Sequence, residues 1–392
     1  MSDSNKFIYN REFFFTDEDA TKLKKNHPHV WFAFHDNEAG PLFFEIDQSS
    51  KSAKTAFRIA GLAAVGMAWI ALVLAAAEPI LILPLVNSGP QDSVWKFFAL
   101  AVAGLAAIMG VASFVISFFG LGTGRRKTDW LCNRLVCERL RQWQGQYLTA
   151  KFTQIVEAAR TGEGISAYRT QRKRDFALFK DRFVTNSVAQ LSRHLAVDKL
   201  DPQDQIWIHS ELIPSAQSRR DIALCEKNIN ELDKLTVGDF FRAYEAIRFN
   251  GQIEYSEYKS EDLGLSAHSK TQERWLSGFG KAMIVFIAVL HVGVLIGVFG
   301  GPSWLKGPEV HFLAIVAALT GLAIRVLEDG LAPSQEVARL EAYLDDIRSA
   351  HQKFVAASDF SEKLESMHQF EEAAAREMLS FLRTTNSSRF IL

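Results

Sequence analysis

Apolar residues in this chain are concentrated rather than spread. Four stretches, Ile59 to Ala77, Phe97 to Thr123, Ala282 to Pro302 and Val310 to Leu327, run almost without charge and fall into two closely spaced pairs. Each approaches or exceeds the roughly 20 residues that a helix needs to cross the hydrocarbon core of a bilayer. The pattern predicts four transmembrane helices arranged as two hairpins. The fourth is the shortest and ends near Arg325, whose guanidinium can reach the interface while its stem stays in lipid.

Between and around these stretches the pattern turns polar and helical. TDEDATKLKK at 16 to 25 opens on Thr16 as an N-cap, carries acids in its first turn and ends in lysines, matching the helix dipole at both ends. Pro28 and Pro41 suit first-turn positions, Gly40 makes a break, and from Pro41 one helix is expected to run into span one. Helical stretches punctuated by Gly162 to Gly164, Pro202 and Pro214 follow span two. Val237 to Tyr258 leads past Gly264 toward span three, and Ser334 to Val355 and Ser361 to Arg383 read as two closing helices, the latter capped by Ser358 or Ser361. Strand signals are absent. The fold class is therefore all-α: a polytopic membrane protein with two helical hairpins and long cytoplasmic helices. Its segments are 1–57 (cytoplasmic helices), 58–124 (hairpin one), 125–278 (cytoplasmic helical domain), 279–327 (hairpin two) and 328–392 (cytoplasmic helices).

Basic residues set the orientation. Lys51, Lys54 and Arg58 precede span one, Arg125, Arg126 and Lys127 follow span two, and Lys270, Arg274 and Lys281 lead into span three. The loops Asn87 to Trp95 and Ser303 to Glu309 hold only Lys306, with Lys96 at the margin. Both hairpins are thus expected to start and finish in the cytoplasm, in the inner (plasma) membrane, with both chain ends inside. Trp95 and Trp304 fall at the outer edges, and Trp130 and Trp275 near the inner ones, as interface anchors do. The first fifty residues are polar and aromatic, so span one is expected to direct insertion.

The net charge of −1 and neutral mean hydropathy blend apolar spans with charged flanks and conceal this class. Near-zero charge without a recognition motif speaks against nucleic acid. Cys132, Cys137 and Cys225 form no CxxC and all fall on the cytoplasmic side, so they read as reduced and structural. The two halves echo one another at an offset of 200: Arg125, Asp129, Leu131, Arg139 and Leu140 recur as Arg325, Asp329, Leu331, Arg339 and Leu340, with Trp143 answered by Tyr343. Each set lies behind a hairpin, as an internal repeat requires.

RRKTDWLCNRLVCERLRQWQGQYL at 125 to 148 resembles the helix that follows the membrane hairpin in the SLATT family and in related DUF4231 proteins. RFNGQIEYSEYK at 248 to 259 resembles the helix that precedes it, and FEEAAAREMLSFL at 370 to 382 resembles the acidic closing helix. SLATT proteins are two-transmembrane effectors associated with nucleotide-signalling defence genes. The resemblance implies a pore-forming effector that permeabilises the membrane after an upstream signal. This chain would hold two such units, a departure that leaves the family's stoichiometry behind.

Motifs for catalysis are missing. His27 and His29 of HPH, with His35, have no acidic or cysteine partner at ligand spacing and read as surface histidines, so no metal is expected. Gly120, Gly122 and Gly124 follow a membrane span instead of a strand and fail the context of a nucleotide loop. No GxSxG, HExxH, Walker or kinase pattern occurs, so neither an enzyme nor a cofactor is expected.

The spans offer other candidates. Glu78, before Pro79, is either an interfacial carboxylate or part of a charged vestibule. Ser113 and Ser117 lie four apart and either line an aqueous path or bond their own helix. His291 is either a packed imidazole or a proton-sensitive gate. Gly293 and Gly297 form GxxxG, for packing within the chain or between copies. In YRTQRKRDFALFKDR at 168 to 182, Arg169, Arg172, Lys173 and Arg174 form a solvated face or a contact for anionic lipid or a phosphate-bearing signal. The leading expectation is a homo-oligomeric pore-forming effector gated by its cytoplasmic helices, with membrane lipid and a cytosolic signalling protein or nucleotide-type signal as partners. The alternative is a non-conducting scaffold that recruits a cytosolic protein.

Overall fold

A computed structural model describes residues 13–15, 17–35, 38–84, 93–122, 125–196, 231–260 and 269–390. Thr16, Asn87, Gly124, Pro202, Pro214, Cys225 and Gly264 lie outside the described residues. All regular structure among the described residues is helical. In chain order the helices are α1 (Asp17–Asn26), α2 (Trp31–Phe34), α3 (Ala39–Ala77), α4 (Ser93–Val115), α5 (Arg125–Ala150), α6 (Phe152–Ala158) and α7 (Gly162–Phe179). They continue as α8 (Ser187–Ala196), α9 (Glu231–Tyr244), α10 (Gly251–Ser260), α11 (Ser269–Val298), α12 (Pro308–Leu331), α13 (Pro333–Ala356) and α14 (Phe360–Ser387). Short π-helical turns follow α3, α4, α7 and α9 at Glu78–Ile82, Ile116–Gly122, Lys180–Val184 and Glu245–Asn250.

The chain divides into two compact units. The first gathers Met1–Lys51, Trp130–Glu261 and Val337–Asn386; the second gathers Ser52–Asp129, Asp262–Glu336 and Ser387–Leu392. Four helices are long and apolar enough to cross a membrane: Ala39–Ile82, Lys96–Phe119, Ser269–Val298 and Pro308–Ala356. They overlap all four stretches read from the hydropathy pattern; the second and third stop at Phe119 and Val298, short of the expected Thr123 and Pro302. As expected, Pro41 sits in the first turn of a helix that runs unbroken into span one.

In the second unit the four helices are not equivalent. The apolar windows of α3 and α12 are 22% buried, those of α4 and α11 only 6%. The inner pair is joined by Trp69 Nε1, which donates to Thr320 Oγ1 at 3.1 Å, while Thr320 donates to Val316 O at 2.7 Å. Ser113 Oγ on α4 donates to Ala64 O on α3 at 2.9 Å. Small residues line the packed faces: a β-carbon at Gly110, Gly280 or Gly321 would rest in ordinary contact, 3.8 Å from Ala71, Ile324 and Met283 respectively. Between α11 and α12 the chain turns at Gly300, whose φ of +105° only glycine adopts without strain, and Gly301 N donates to Ile296 O at 3.0 Å. Phe299 and Trp304 stand out at 83% and 67% exposure, as a turn at a lipid interface would present them.

The halves are alike in some of the predicted positions. Leu140 and Leu340, and Trp143 and Tyr343, are buried, whereas Arg125 and Arg325 are exposed. The membrane helices break the likeness. Taken in chain order, α3 would answer α11 and α4 would answer α12, yet an inner helix is paired with an outer one each time. Connections differ as well: α12 passes into α13 at Ala332, left-handed at φ 48° and ψ 44°, whose N–H donates to Glu328 O before Pro333 starts the next helix.

The first unit is built on aromatic packing. Trp143 stacks on Tyr147 and Phe179, Phe152 packs on Phe240 and Phe241, and Phe249 on Phe354 and Phe370. At its centre lies α5, buried on nearly every side from Trp130 to Thr149 despite its polar sequence. The expected serine caps of α14 give way to Asp359. Its Oδ1 accepts the N–H of Glu362 at 2.7 Å, and the Glu362 carboxylate accepts the N–H of Ser358, the residue before the cap, at 3.4 Å.

Candidate functional site

The three segments that carry the family resemblance meet at one buried point in the first unit. Arg248 belongs to RFNGQIEYSEYK, Glu371 to FEEAAAREMLSFL and Gly145 to the α5 segment. Arg248 Nε and Nη2 donate to Glu371 Oε1 and Oε2 at 2.9 and 2.8 Å, a bidentate pair. Tyr244 OH donates to Glu371 Oε1 at 2.7 Å. Both side chains of the pair are almost fully buried, 2% and 1% exposed, so neither charge is tolerable without the other. The guanidinium lies over the Phe370 ring at 4.8 Å. Gly145 makes the arrangement possible: a β-carbon there would run into the Glu371 carboxylate. The π-helical turn Glu245–Asn250 supplies Arg248 one residue out of the α-helical register of α9, as such bulges do at functional positions.

Other polar groups of the first unit are partnered in turn. Glu138 accepts from Arg134 at 2.5 Å and from Arg141 at 2.6 Å. Burial opposes its ionisation, but the two guanidiniums outweigh it and hold the carboxyl down at about 2. Arg141 also lies over Phe43. Gln144 Nε2 donates to Phe34 O at 3.2 Å, and Arg139 Nη1 to Gln142 Oε1 at 2.7 Å. Tyr147 OH donates to Asp175 at 3.0 Å; burial, then Tyr168 and Asp175, push its ionisation up. Burial likewise pushes the Cys137 thiol up to about 12, the state of an inert, packed cysteine, and Cys132 is buried with it. His194 is driven down to about 4 by burial and then by Arg139, Arg193 and Arg383. Arg160 forms a bidentate pair with Asp233, which is 1% exposed.

The histidines of HPH have a structural setting. Asp239 joins His27 Nδ1 at 3.0 Å and accepts the backbone N–H of His29 at 3.1 Å. Among the described residues no group of three or more His, Cys, Asp or Glu is placed to hold a metal ion.

The basic run of α7 splits by face. Arg172 is buried, donates to Ala33 O and lies over the Tyr147 ring. Arg169 lies over Trp31 at 5.0 Å, and the exposed Lys173 pairs with Glu38 at 2.7 Å. Arg174 is exposed. Of the four, Arg172 belongs to the interior and three face outward.

In the second unit Glu78 opens the π-helical turn before α4 and is half-buried. Ser113 is buried and bonded to Ala64 O, while Ser117 is half-buried in the turn Ile116–Gly122. His291 is exposed on α11, with Nδ1 2.8 Å from Ile287 O of its own helix. Gly293 faces Leu305 of the α11–α12 turn and Gly297 is buried, so this GxxxG face is occupied within the chain. The structure does not bring the serines, Glu78 and His291 into one cluster of hydrogen bonds.

Sequence reasoning missed Glu371, Arg248 and Gly145 as a set. The signal was present: three quoted segments each contributed one residue, and a glycine interrupted a helix where alanine would be preferred. No protein-family model, curated protein or solved structure matches the chain.

Proposed function

We propose that this chain is an integral membrane effector of the pore-forming or membrane-perturbing kind, non-enzymatic, with two hairpins whose loops face away from the cytoplasm. In this reading the helical first unit is cytoplasmic and gates the spans. One observation carries it: only 6% of the spanning windows of α4 and α11 is buried by the chain itself, against 22% for α3 and α12, so the first two present largely apolar faces to their surroundings. Lipid or further copies of the chain must cover those faces, and this reading takes the second, a homo-oligomer in the inner membrane. The resemblance of the three segments that converge on Glu371 supports the SLATT-like, defence-type assignment, and the exposed Arg169, Lys173 and Arg174 offer a surface to anionic lipid or a phosphate-bearing signal.

A non-conducting scaffold is the second reading. It is favoured by the hydrogen bonds inside the bundle, because Ser113, Trp69 and Thr320 are occupied in packing and not turned to an aqueous path. Membrane potential separates the two. Induced expression with a potential-sensitive dye should give depolarisation that Glu78→Ala and Gly297→Leu suppress. An unchanged potential alongside recovery of a cytosolic partner on the purified chain would establish the scaffold instead.

A further inference from the structure

Two glycines far apart in sequence accommodate a single ring. Gly61 lies mid-helix in α3 and Gly330 near the end of α12, and a β-carbon at either would collide with the phenyl group of Phe390. Phe390 is 2% exposed and meets the edge of Phe57, also buried, at 5.6 Å between centroids. The segment that delivers it is held by a second contact: Lys127 Nζ donates to Ser388 O at 2.7 Å and lies over the Phe57 ring at 5.8 Å. Glycine inside a helix costs about 1 kcal/mol relative to alanine. Two such positions with their missing side chains facing the same ring mark a built seat for it.

We propose that residues 387–390 act as an intramolecular latch: Phe390, wedged between Gly61 and Gly330, clamps the middle of α3 to the C-terminal end of α12 and holds the bundle in its resting state. Those are the two helices that form the centre of the membrane unit. The latch lies among basic residues, near Arg58, which pairs with Glu336, and near Arg125 to Lys127. Burial and then Arg389 pull the Lys127 ammonium down to about 8, so its charge is only weakly preferred in this setting. A signal reaching the helix that ends in this segment would have a short lever to withdraw one ring. Removing a buried phenyl group shifts such an equilibrium by on the order of a hundredfold or more.

The regulatory part of this inference rests on the effector reading, and the test keeps the two apart. Full-length chain in vesicles, with its native cysteines replaced, would carry spin labels at the exposed Ile59 and Asp329, and each sample would also be loaded with a fluorescent dye. Three variants remove the wedge in different ways: Phe390→Ala deletes the ring, while Gly61→Ala and Gly330→Ala fill its seat. Phe390→Tyr retains the ring and serves as the conservative control. A broadened or lengthened 59–329 distance in all three, with the control near wild type, supports the latch. Increased basal dye release alongside it, on the order of a hundredfold at limiting protein, supports the effector reading too. A changed distance with unchanged release upholds the latch and overturns the pore. An unchanged distance in the three variants overturns the latch, whatever the dye does.

Discussion

Replacing Glu371 with alanine removes the carboxylate that grips, with both oxygens, a guanidinium that is 2% exposed. Arg248 loses two charge-assisted hydrogen bonds, at 2.9 and 2.8 Å, and Tyr244 loses its acceptor at 2.7 Å. Breaking a buried pair from one side costs about 3–5 kcal/mol, because the remaining charge is stranded away from water. In a helical unit of this size each kcal/mol lowers the midpoint by about 2–4 °C, so Glu371→Ala should melt roughly 6–20 °C below wild type. The assay is thermal unfolding of the detergent-solubilised full chain, followed by the fluorescence of Trp143, buried in the same unit. The triple change Glu371→Leu, Arg248→Met and Tyr244→Phe supplies the comparison. It removes both charges and the hydroxyl together, and should recover most of the loss. If Glu371→Ala costs under about 1 kcal/mol, or the triple variant is no better than the single one, the two buried charges do not depend on one another as argued.

Two other outcomes follow from local geometry. His194 is neutral in the folded chain down to about 4, against roughly 6.5 when unfolded, so it costs nothing above pH 6.5. Between these values the unfolded chain takes up a proton that the folded chain refuses, and stability falls as pH falls; His194→Leu should therefore lose about 2 kcal/mol less than wild type between pH 7 and pH 5 in parallel unfolding curves. Equal losses in the two proteins would contradict this. At Ala332 a left-handed φ of 48° strains any residue with a β-carbon, so Ala332→Gly should stabilise the α12–α13 corner by up to about 1 kcal/mol, read as a higher melting midpoint. A fall in the midpoint would show that the corner tolerates alanine without strain.

The segments that emerged from the pattern of charge did so because a bilayer makes a one-dimensional demand. Ile59 to Ala77 can be recognised without knowing any neighbour, since length and lack of charge suffice. The continuous helix through Pro41 was legible for a related reason: proline in a first turn and no breaker beyond it are local facts. The cap of α14 was misassigned by one or two residues, since serine and aspartate compete for the same N–H and only the backbone decides which sits at the boundary.

By itself, then, the sequence determined an all-helical chain with four helices able to cross a membrane and polar helices around them. It did not determine which polar residues are interior. The polar residues of α5 are buried in the aromatic core of the first unit, and Arg248, Glu371 and Gly145 meet from positions more than 100 residues apart. It also left open which spans pack at the centre, and that one phenyl ring needs both Gly61 and Gly330. Periodicity reports whether a residue prefers oil or water along a single axis. Which group satisfies a buried charge, and which glycine yields space to which ring, depends on distances between segments that only the tertiary fold brings together.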